Sequence, residues 1–474
     1  MPRASLSFVQ LDRAIGAVIA SAVGDALGAG YEFASPPLAD EVRLLPGTLT
    51  GAPAGHWTDD TAMALGILMV AAEQGTLDSE AALARVGDEF LRWFNSSPRD
   101  IGMHTAHVLQ RATTGGQLPA VARAVQEDYP NAAGNGALMR TGPVALAALG
   151  DDDKIARTAR SVAALTHPHH DSVDACVLWS VAIGQSIVRG TLVNPREGLR
   201  HLPEERRGRW AQLIDEAEAC SPSTFAPNGW VVTAFQAAWS SLVHTANGDR
   251  PLEAALRMAV SIGDDTDTVA AIAGALAGAA YGLTAVPFAW RHGLAGWPDG
   301  LRGIDLVSLA AKAARGGNDP QGWPDVATML PAYEHFAPRG ATYVFPDDPG
   351  VLFGDVGALA SVDADAFLSL CRIGVDDRRT HDHEVIWLID RDENLDAPAV
   401  LADTADAIAQ LRSEGRTVFV HCVRAESRTP TVAMAWLLRH HGYTFDEARR
   451  TVLSTITSAH PEASLLRAVR VLAQ

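Results

Sequence analysis

Ser261-Ile-Gly-Asp-Asp-Thr-Asp-Thr268 runs straight into Val269-Ala-Ala-Ile-Ala-Gly-Ala-Leu-Ala-Gly278. Three carboxylates and two hydroxyls fall within five residues, and the chain then turns apolar and small. Ordinary core does not hold such a run, because buried carboxylates without partners are costly. A solvated charged face would interleave Lys or Arg, and none is present here. Clustered carboxylate and hydroxyl oxygens suit a hard cation such as Mg2+ or Mn2+. A second cluster, Trp57-Thr-Asp-Asp-Thr61, precedes another apolar run, Ala62-Met-Ala-Leu-Gly-Ile-Leu-Met-Val70. Polar oxygens ahead of an apolar helical pattern mark a helix N-terminus. The two clusters are expected to close on one metal site.

Working outward, helical patterns cover 8–30, 80–94, 102–112, 140–150, 153–165, 171–189, 205–218, 229–245, 251–260 and 268–283, separated by Pro- and Gly-bearing turns. No strand pattern stands out before about residue 340. Residues 1–315 therefore read as one all-α domain. Residues 316–340 shift to Gly, Asn, Pro, Asp and aromatic residues and read as a linker. Residues 341–474 alternate strand and helix, with strands expected at Tyr343–Phe345, Ala366–Leu370, Glu384–Ile389 and Thr417–Val420 and helices at 399–414 and 429–441. A length of 474 residues fits two domains better than one.

The net charge of -18 argues against a nucleic-acid backbone as partner. Cys176, Cys220, Cys371 and Cys422 form no zinc pattern and point to a reducing, cytoplasmic setting. No apolar stretch reaches membrane-spanning length, so no membrane partner is expected. Thr58-Asp59-Asp60 read alone is also a helix cap, and Thr166-His-Pro-His-His-Asp171 looks like a metal cluster.

Five stretches in order carry a resemblance: Gly24-Asp-Ala-Leu-Gly-Ala-Gly-Tyr-Glu-Phe33, Trp57-Thr-Asp-Asp-Thr-Ala-Met63, Gly134-Asn-Gly-Ala-Leu-Met-Arg140, Leu165-Thr-His-Pro168 and Asp265-Thr-Asp-Thr268. Over residues 10–315 the chain resembles the ADP-ribosylglycohydrolases, including the dinitrogenase reductase-activating glycohydrolases. That resemblance implies an all-α orthogonal helical bundle with two divalent ions, Mg2+ or alternatively Mn2+. It implies Thr58, Asp59, Asp60, Asp265, Asp267 and Thr268 as metal ligands, and hydrolysis at C1'' of ADP-ribose on a protein or small-molecule acceptor. Glu32 falls where some members place a catalytic glutamate. Asp25 is expected to order the first helix or support the metal ligands. Gly134, Asn135 and Gly136 suit a loop approaching the pyrophosphate, and His167 is expected at most to border the centre. Trp230 is either core or an adenine-stacking surface. Asp264 stands where the family has glycine.

In the last third, Val418-Phe-Val-His-Cys-Val-Arg-Ala-Glu-Ser-Arg-Thr-Pro430 reads as strand, loop and helix. A loop at a helix N-terminus presents N–H groups to an anion and favours a thiolate, and Arg binds phosphate oxygens bidentately. This stretch resembles the dual-specificity and tyrosine phosphatases. The resemblance implies Cys422 as nucleophile, Arg428 as phosphate binder, and Asp390, or alternatively Asp392, as general acid. Thr429 is expected to donate to the thiolate. Ala425 replaces the family's glycine, and Glu426 adds negative charge beside Arg424. Two functions follow for this domain: a phosphatase acting on a phosphorylated substrate, or a phosphate-recognition module.

Overall fold

The structure is a computed structural model that describes residues 6–317, 326–380 and 382–473. The chain divides into two compact units, Met1–Val286 with Gly293–Asn318, and Pro287–His292 with Asp319–Gln474.

The first unit is built around two helices buried on nearly every side. Phe8–Gly28 opens with a reciprocal Ser7–Gln10 capping box and lies against Thr266–Tyr281. Both are dominated by Ala, Gly, Ile and Val, as a helix with no solvent face must be. Their axes come so close that a Cβ on Gly28 would collide with the Asp267 backbone, and one on Gly274 with that of Ala20. This contact carries the residues after Gly24 directly onto the start of the Thr266–Tyr281 helix. The Val231–Thr245, Pro251–Ser261 and Gly303–Ala314 helices pack on this pair, as do Asp59–Gln74 and His170–Arg189. Trp179 donates from Nε1 to the Ile272 carbonyl at 2.9 Å and ties the latter helix to the central pair.

The expectation of an all-helical first region holds apart from a two-residue antiparallel ribbon, Ala295–Gly296 with Leu301–Arg302. Two residues are too few for an alternating pattern to register in sequence. Helices Leu118–Asp128 and Gly303–Ala314 also lie outside the patterns read from sequence.

In the second unit, a five-stranded sheet runs in the order Thr342–Val344, Val351–Asp355, Val418–Cys422, Ala366–Ser369, His383–Val385. The first pair is antiparallel and the rest are parallel. Val418–Cys422 is central and buried throughout, which is why its first three residues read as an apolar run, while the buried His421 is held by a hydrogen bond from Ser369 Oγ. Helices Ala397–Ser413, Arg428–His441, Phe445–Thr455 and Ala463–Leu472 pack with Phe345, Phe353 and Trp436 into one core. The strand expected over Glu384–Ile389 is confined to His383–Val385. Asn394 instead takes both polar backbone groups of Ile389, at 2.9 and 2.8 Å, and holds that segment as a loop.

Candidate active sites

Asp25 explains how the first cluster is set. Fully buried at the end of the first helix, it accepts from Thr58 N (2.9 Å), Thr58 Oγ1 (2.9 Å), Thr61 N (3.0 Å) and Thr61 Oγ1 (2.6 Å). It thereby satisfies N–H groups that the Asp59–Gln74 helix leaves free at its start. Thr58, the N-cap, spends its hydroxyl on Asp25 and on the cluster. Its Oγ1 lies 3.4 Å from Asp60 Oδ2 and 3.3 Å from Asp267 Oδ2. Thr268 Oγ1 lies 3.4 Å from the same Asp60 oxygen. Carboxylate oxygens of Glu32, Asp265 and Asp267 lie within 4.8 Å of one another. Segments more than two hundred residues apart in sequence thus meet in one pocket of oxygens.

Burial and mutual repulsion push the Asp59, Asp60 and Asp267 carboxyls well above the usual range, and Glu32 up to about 9. Asp60 is 1% exposed, and its Oδ1 has no hydrogen-bond partner. A buried, unpartnered carboxylate oxygen facing other carboxylates is what a hard cation would satisfy. The donor set, carboxylates with two threonine hydroxyls, fits Mg2+ or Mn2+ and not a soft metal.

Asp264 occupies the left-handed region at φ 58°, directly after Gly263 at φ 90°. This is where a glycine is favoured, and Asp is among the residues that tolerate it. Two asparagines hold the turn. Asn135 donates from Nδ2 to Asp265 Oδ2 (2.7 Å) and to the Asn228 carbonyl (3.2 Å). Asn228 accepts from Asp265 N (3.0 Å) and donates to the Gly263 carbonyl (3.1 Å). The side chain of Asn135 is therefore committed to a carboxylate of the cluster. Asn228 escaped the sequence reading because a Pro-Asn-Gly stretch looks like an ordinary turn. Asp100 escaped it as well: a lone Asp in a loop carries no pattern, yet it is the leading charge acting on Asp59 and Glu32.

His167 is buried, accepts or donates through Nδ1 to Thr166 Oγ1 at 2.7 Å, and lies beneath Gly136, where a Cβ would come within 3.0 Å of its ring. Arg140, also buried, reaches the same Thr166 hydroxyl at 2.6 Å and stacks on Phe90. These residues support the Gly134–Gly136 loop from below. Trp230 is 45% exposed and pairs through its backbone with Gly134. It is not core. Beside Thr58 and Asp59 opens a cleft of about 450 Å3 whose walls include Trp57, Trp93, Trp297, Asp100 and Asp299.

In the second unit, Cys422 ends the central strand, and the loop after it leads into the Arg428–His441 helix. Arg428 forms an ion pair with Asp390 at 2.9 Å and donates to the carbonyl of Leu370. Asp392 pairs with Arg467 at the surface at 2.9 Å. Thr429 does not turn toward the sulfur: its Oγ1 donates to the Gly354 carbonyl at 3.2 Å. The backbone route of the helix start aims it at the neighbouring strand. Ala425 sits at φ 53°, in the left-handed region, and Glu426 is paired with Arg424 at 2.8 Å.

The family described as ADP-ribosylglycohydrolase matches residues 8–321, and the dual specificity phosphatase catalytic domain matches residues 371–473. The ADP-ribosyl-[dinitrogen reductase] glycohydrolase of Rhodospirillum rubrum is 31% identical over 286 residues, 59% of this chain and 89% of that protein. The ADP-ribosylarginine hydrolase Tri1 of Pseudomonas putida is 29% identical over 59% of this chain and 73% of its own. A solved structure described as an ADP-ribosylglycohydrolase-related protein complex superposes with a TM-score of 0.50 at 29% identity, covering 65% of this chain and 99% of that one. The chain belongs to the ADP-ribosylglycohydrolase family, with a dual-specificity-phosphatase domain following its helical unit in sequence.

Proposed function

We propose that the first unit hydrolyses the C1'' linkage of an ADP-ribosylated arginine, using two divalent cations, Mg2+ in preference to Mn2+. The observation that carries this reading is the unpartnered, buried Asp60 oxygen within a cluster of carboxylates. Thr58, Asp59, Asp60, Asp265, Asp267 and Thr268 would hold the ions. Cations bound there supply Lewis acidity toward the ribose hydroxyls and water. Asp25 fixes Thr58, and Asn135 with Asn228 fixes Asp265, so that the ligand set is ordered before the substrate arrives. Glu32, whose carboxylate lies within 4.8 Å of those of Asp265 and Asp267, is suited to exchange a proton with the attacking water or the leaving nitrogen of the C1'' linkage. The Gly134–Gly136 loop takes the pyrophosphate, and the exposed Trp230 face takes the adenine. A cationic acceptor suits the adjoining cleft, where the indoles of Trp57, Trp93 and Trp297 lie near the carboxylates of Asp59, Asp100 and Asp299. Two relatives are named for dinitrogen reductase and ADP-ribosylarginine, in keeping with that acceptor. Metal-supplemented turnover of ADP-ribosylarginine against O-linked conjugates tests it. Equal rates on both would remove the arginine assignment.

For the second unit we propose a cysteine-dependent phosphatase. Cys422 attacks phosphorus, Arg428 holds the phosphoryl oxygens, and Asp390 protonates the leaving oxygen; water then releases phosphate from the thiol. The Arg428–Asp390 pair favours Asp390 over Asp392 as the acid. A phosphate-recognition module is the second reading, favoured by the left-handed Ala425 and the acidic Glu426 in the loop. Phosphate release by wild type and Cys422→Ser separates the two, with equal background rates rejecting the phosphatase.

A further inference from the structure

Behind Cys422 lies a buried relay that neither proposed reaction accounts for. Ser369 Oγ sits between two imidazoles, 2.7 Å from His383 Nε2 and 2.7 Å from His421 Nε2. Parallel pairing places Ser369 opposite His421 on the neighbouring strand, so the link is set by the sheet itself. All three side chains are buried: Ser369 and His421 are 0% exposed and His383 is 2%.

The proton positions along this relay follow from its far end. His383 Nδ1 accepts from the Arg379 backbone N–H at 3.0 Å, so that nitrogen carries no proton in the neutral ring. The proton of His383 is then on Nε2, and it donates to Ser369 Oγ. The serine has one proton of its own, and the remaining acceptor is His421 Nε2. His421 must therefore carry its proton on Nδ1. That nitrogen has no hydrogen-bond partner, while the adjoining Cys422 backbone favours a proton on the ring and the Arg428 charge opposes it. Burial keeps both rings neutral, pushing His383 down to about 3 and His421 down to about 4.

We propose that Ser369 and His383 are positioning residues for Cys422: they lock His421 in the Nδ1-protonated tautomer, which presents an N–H and not a lone pair to the Cys422 backbone. This rests on the reading of Cys422 as the reactive thiol, but not on turnover. Without the serine hydroxyl the ring is free to carry its proton on Nε2, and its lone pair then faces the backbone of the nucleophile. The other groups around this corner are Arg428 and Cys371 beside Cys422, Asp390 and Tyr333 beside Arg428, Asp377 beside Cys371, and Arg378 and Arg379 beside His383. They are the same in every variant compared.

The test uses the full chain with 15N-labelled histidine, together with alkylation of Cys422 by iodoacetamide across pH, read by peptide mass. In the wild type, His421 is expected to show an unprotonated Nε2 and a protonated Nδ1. Ser369→Ala is expected to mix the tautomers and to slow Cys422 alkylation at neutral pH roughly two- to tenfold, the size of one hydrogen bond, with its pH midpoint raised. His383→Gln, which leaves Ser369 in place, serves if the alanine variant does not fold, and is expected to mix the tautomers as well. A wild-type His421 protonated on Nε2 overturns the proposal. So does an alkylation profile unchanged in a folded Ser369→Ala chain. Loss of the phosphatase reading, seen as background phosphate release by the wild type, leaves both readouts untouched.

Discussion

Asp60→Asn should make the metal-free protein more stable while abolishing its response to Mg2+. Asp60 is 1% exposed, its Oδ1 is unpartnered, and the charges acting on it most strongly are Asp25, Asp59, Asp265 and Glu32, all repulsive. Its two threonine neighbours sit at 3.4 Å, long for hydrogen bonds, so an amide loses little there. Replacing a poorly satisfied buried carboxyl, which is driven to hold a proton well above its ordinary range, is worth about 1–3 kcal/mol. For a unit of this size that corresponds to a rise in Tm of roughly 2–6 °C in EDTA, taking about 2 °C per kcal/mol. A free ion at a hundredfold excess over its Kd adds about 2.7 kcal/mol to the wild type, roughly 5 °C on the same scale. The variant should gain almost nothing. Thermal melts of both chains in EDTA, Mg2+ and Mn2+ provide the assay. A lower Tm for the variant in EDTA, with equal metal shifts in both chains, would make Asp60 a structural acceptor and not a cation ligand.

Asn228→Ala removes the clamp on the Gly263–Asp265 turn, so the Mg2+ concentration giving half of the thermal shift should rise about tenfold, measured by titration; an unchanged midpoint argues that the turn holds itself. Ala425→Gly relieves a left-handed alanine and should stabilise the second unit by about 1 kcal/mol in a urea melt; a loss of stability would mean that the conformation is unstrained. Asp12, buried in the first helix and held by Thr284 N at 3.1 Å and Oγ1 at 2.9 Å, has its carboxyl raised by burial from 3.8 to about 7. The folded state keeps that proton where the unfolded chain has lost it, so stability is highest below about pH 4 for this group and falls as pH rises toward 7. Asp12→Asn should remove on the order of 2–4 kcal/mol of that slope, and identical slopes in the two chains would contradict it.

The central helices and both oxygen clusters were legible because their signals are local. A run of carboxylates against an all-small apolar helix is anomalous wherever it occurs, and the small residues foretell the close approach at Gly28 and Gly274. Asp264 and Ala425 were noticed as departures from glycine, and the structure supplies the reason, a left-handed backbone at both. Residues that act across long separations stayed hidden. Asn228 and Asp100 have unremarked sequence neighbours and gain meaning only beside Asp265 and Asp59. The Val351–Asp355 strand is hidden because Pro349-Gly350 reads as a turn just before it and Gly354 breaks its short pattern, although pairing with Val418–Cys422 decides its state. Thr429 misled for a related reason: spacing from Cys422 says nothing about which way a helix start turns its side chains.

Release of ADP-ribose from ADP-ribosylarginine, followed by product mass with and without Mg2+, tests the central claim most directly. Mg2+-dependent release of free ADP-ribose and intact arginine is expected, lost in Asp60→Asn, while Cys422→Ser retains full activity. Release that persists undiminished in EDTA and in folded Asp60→Asn would contradict it.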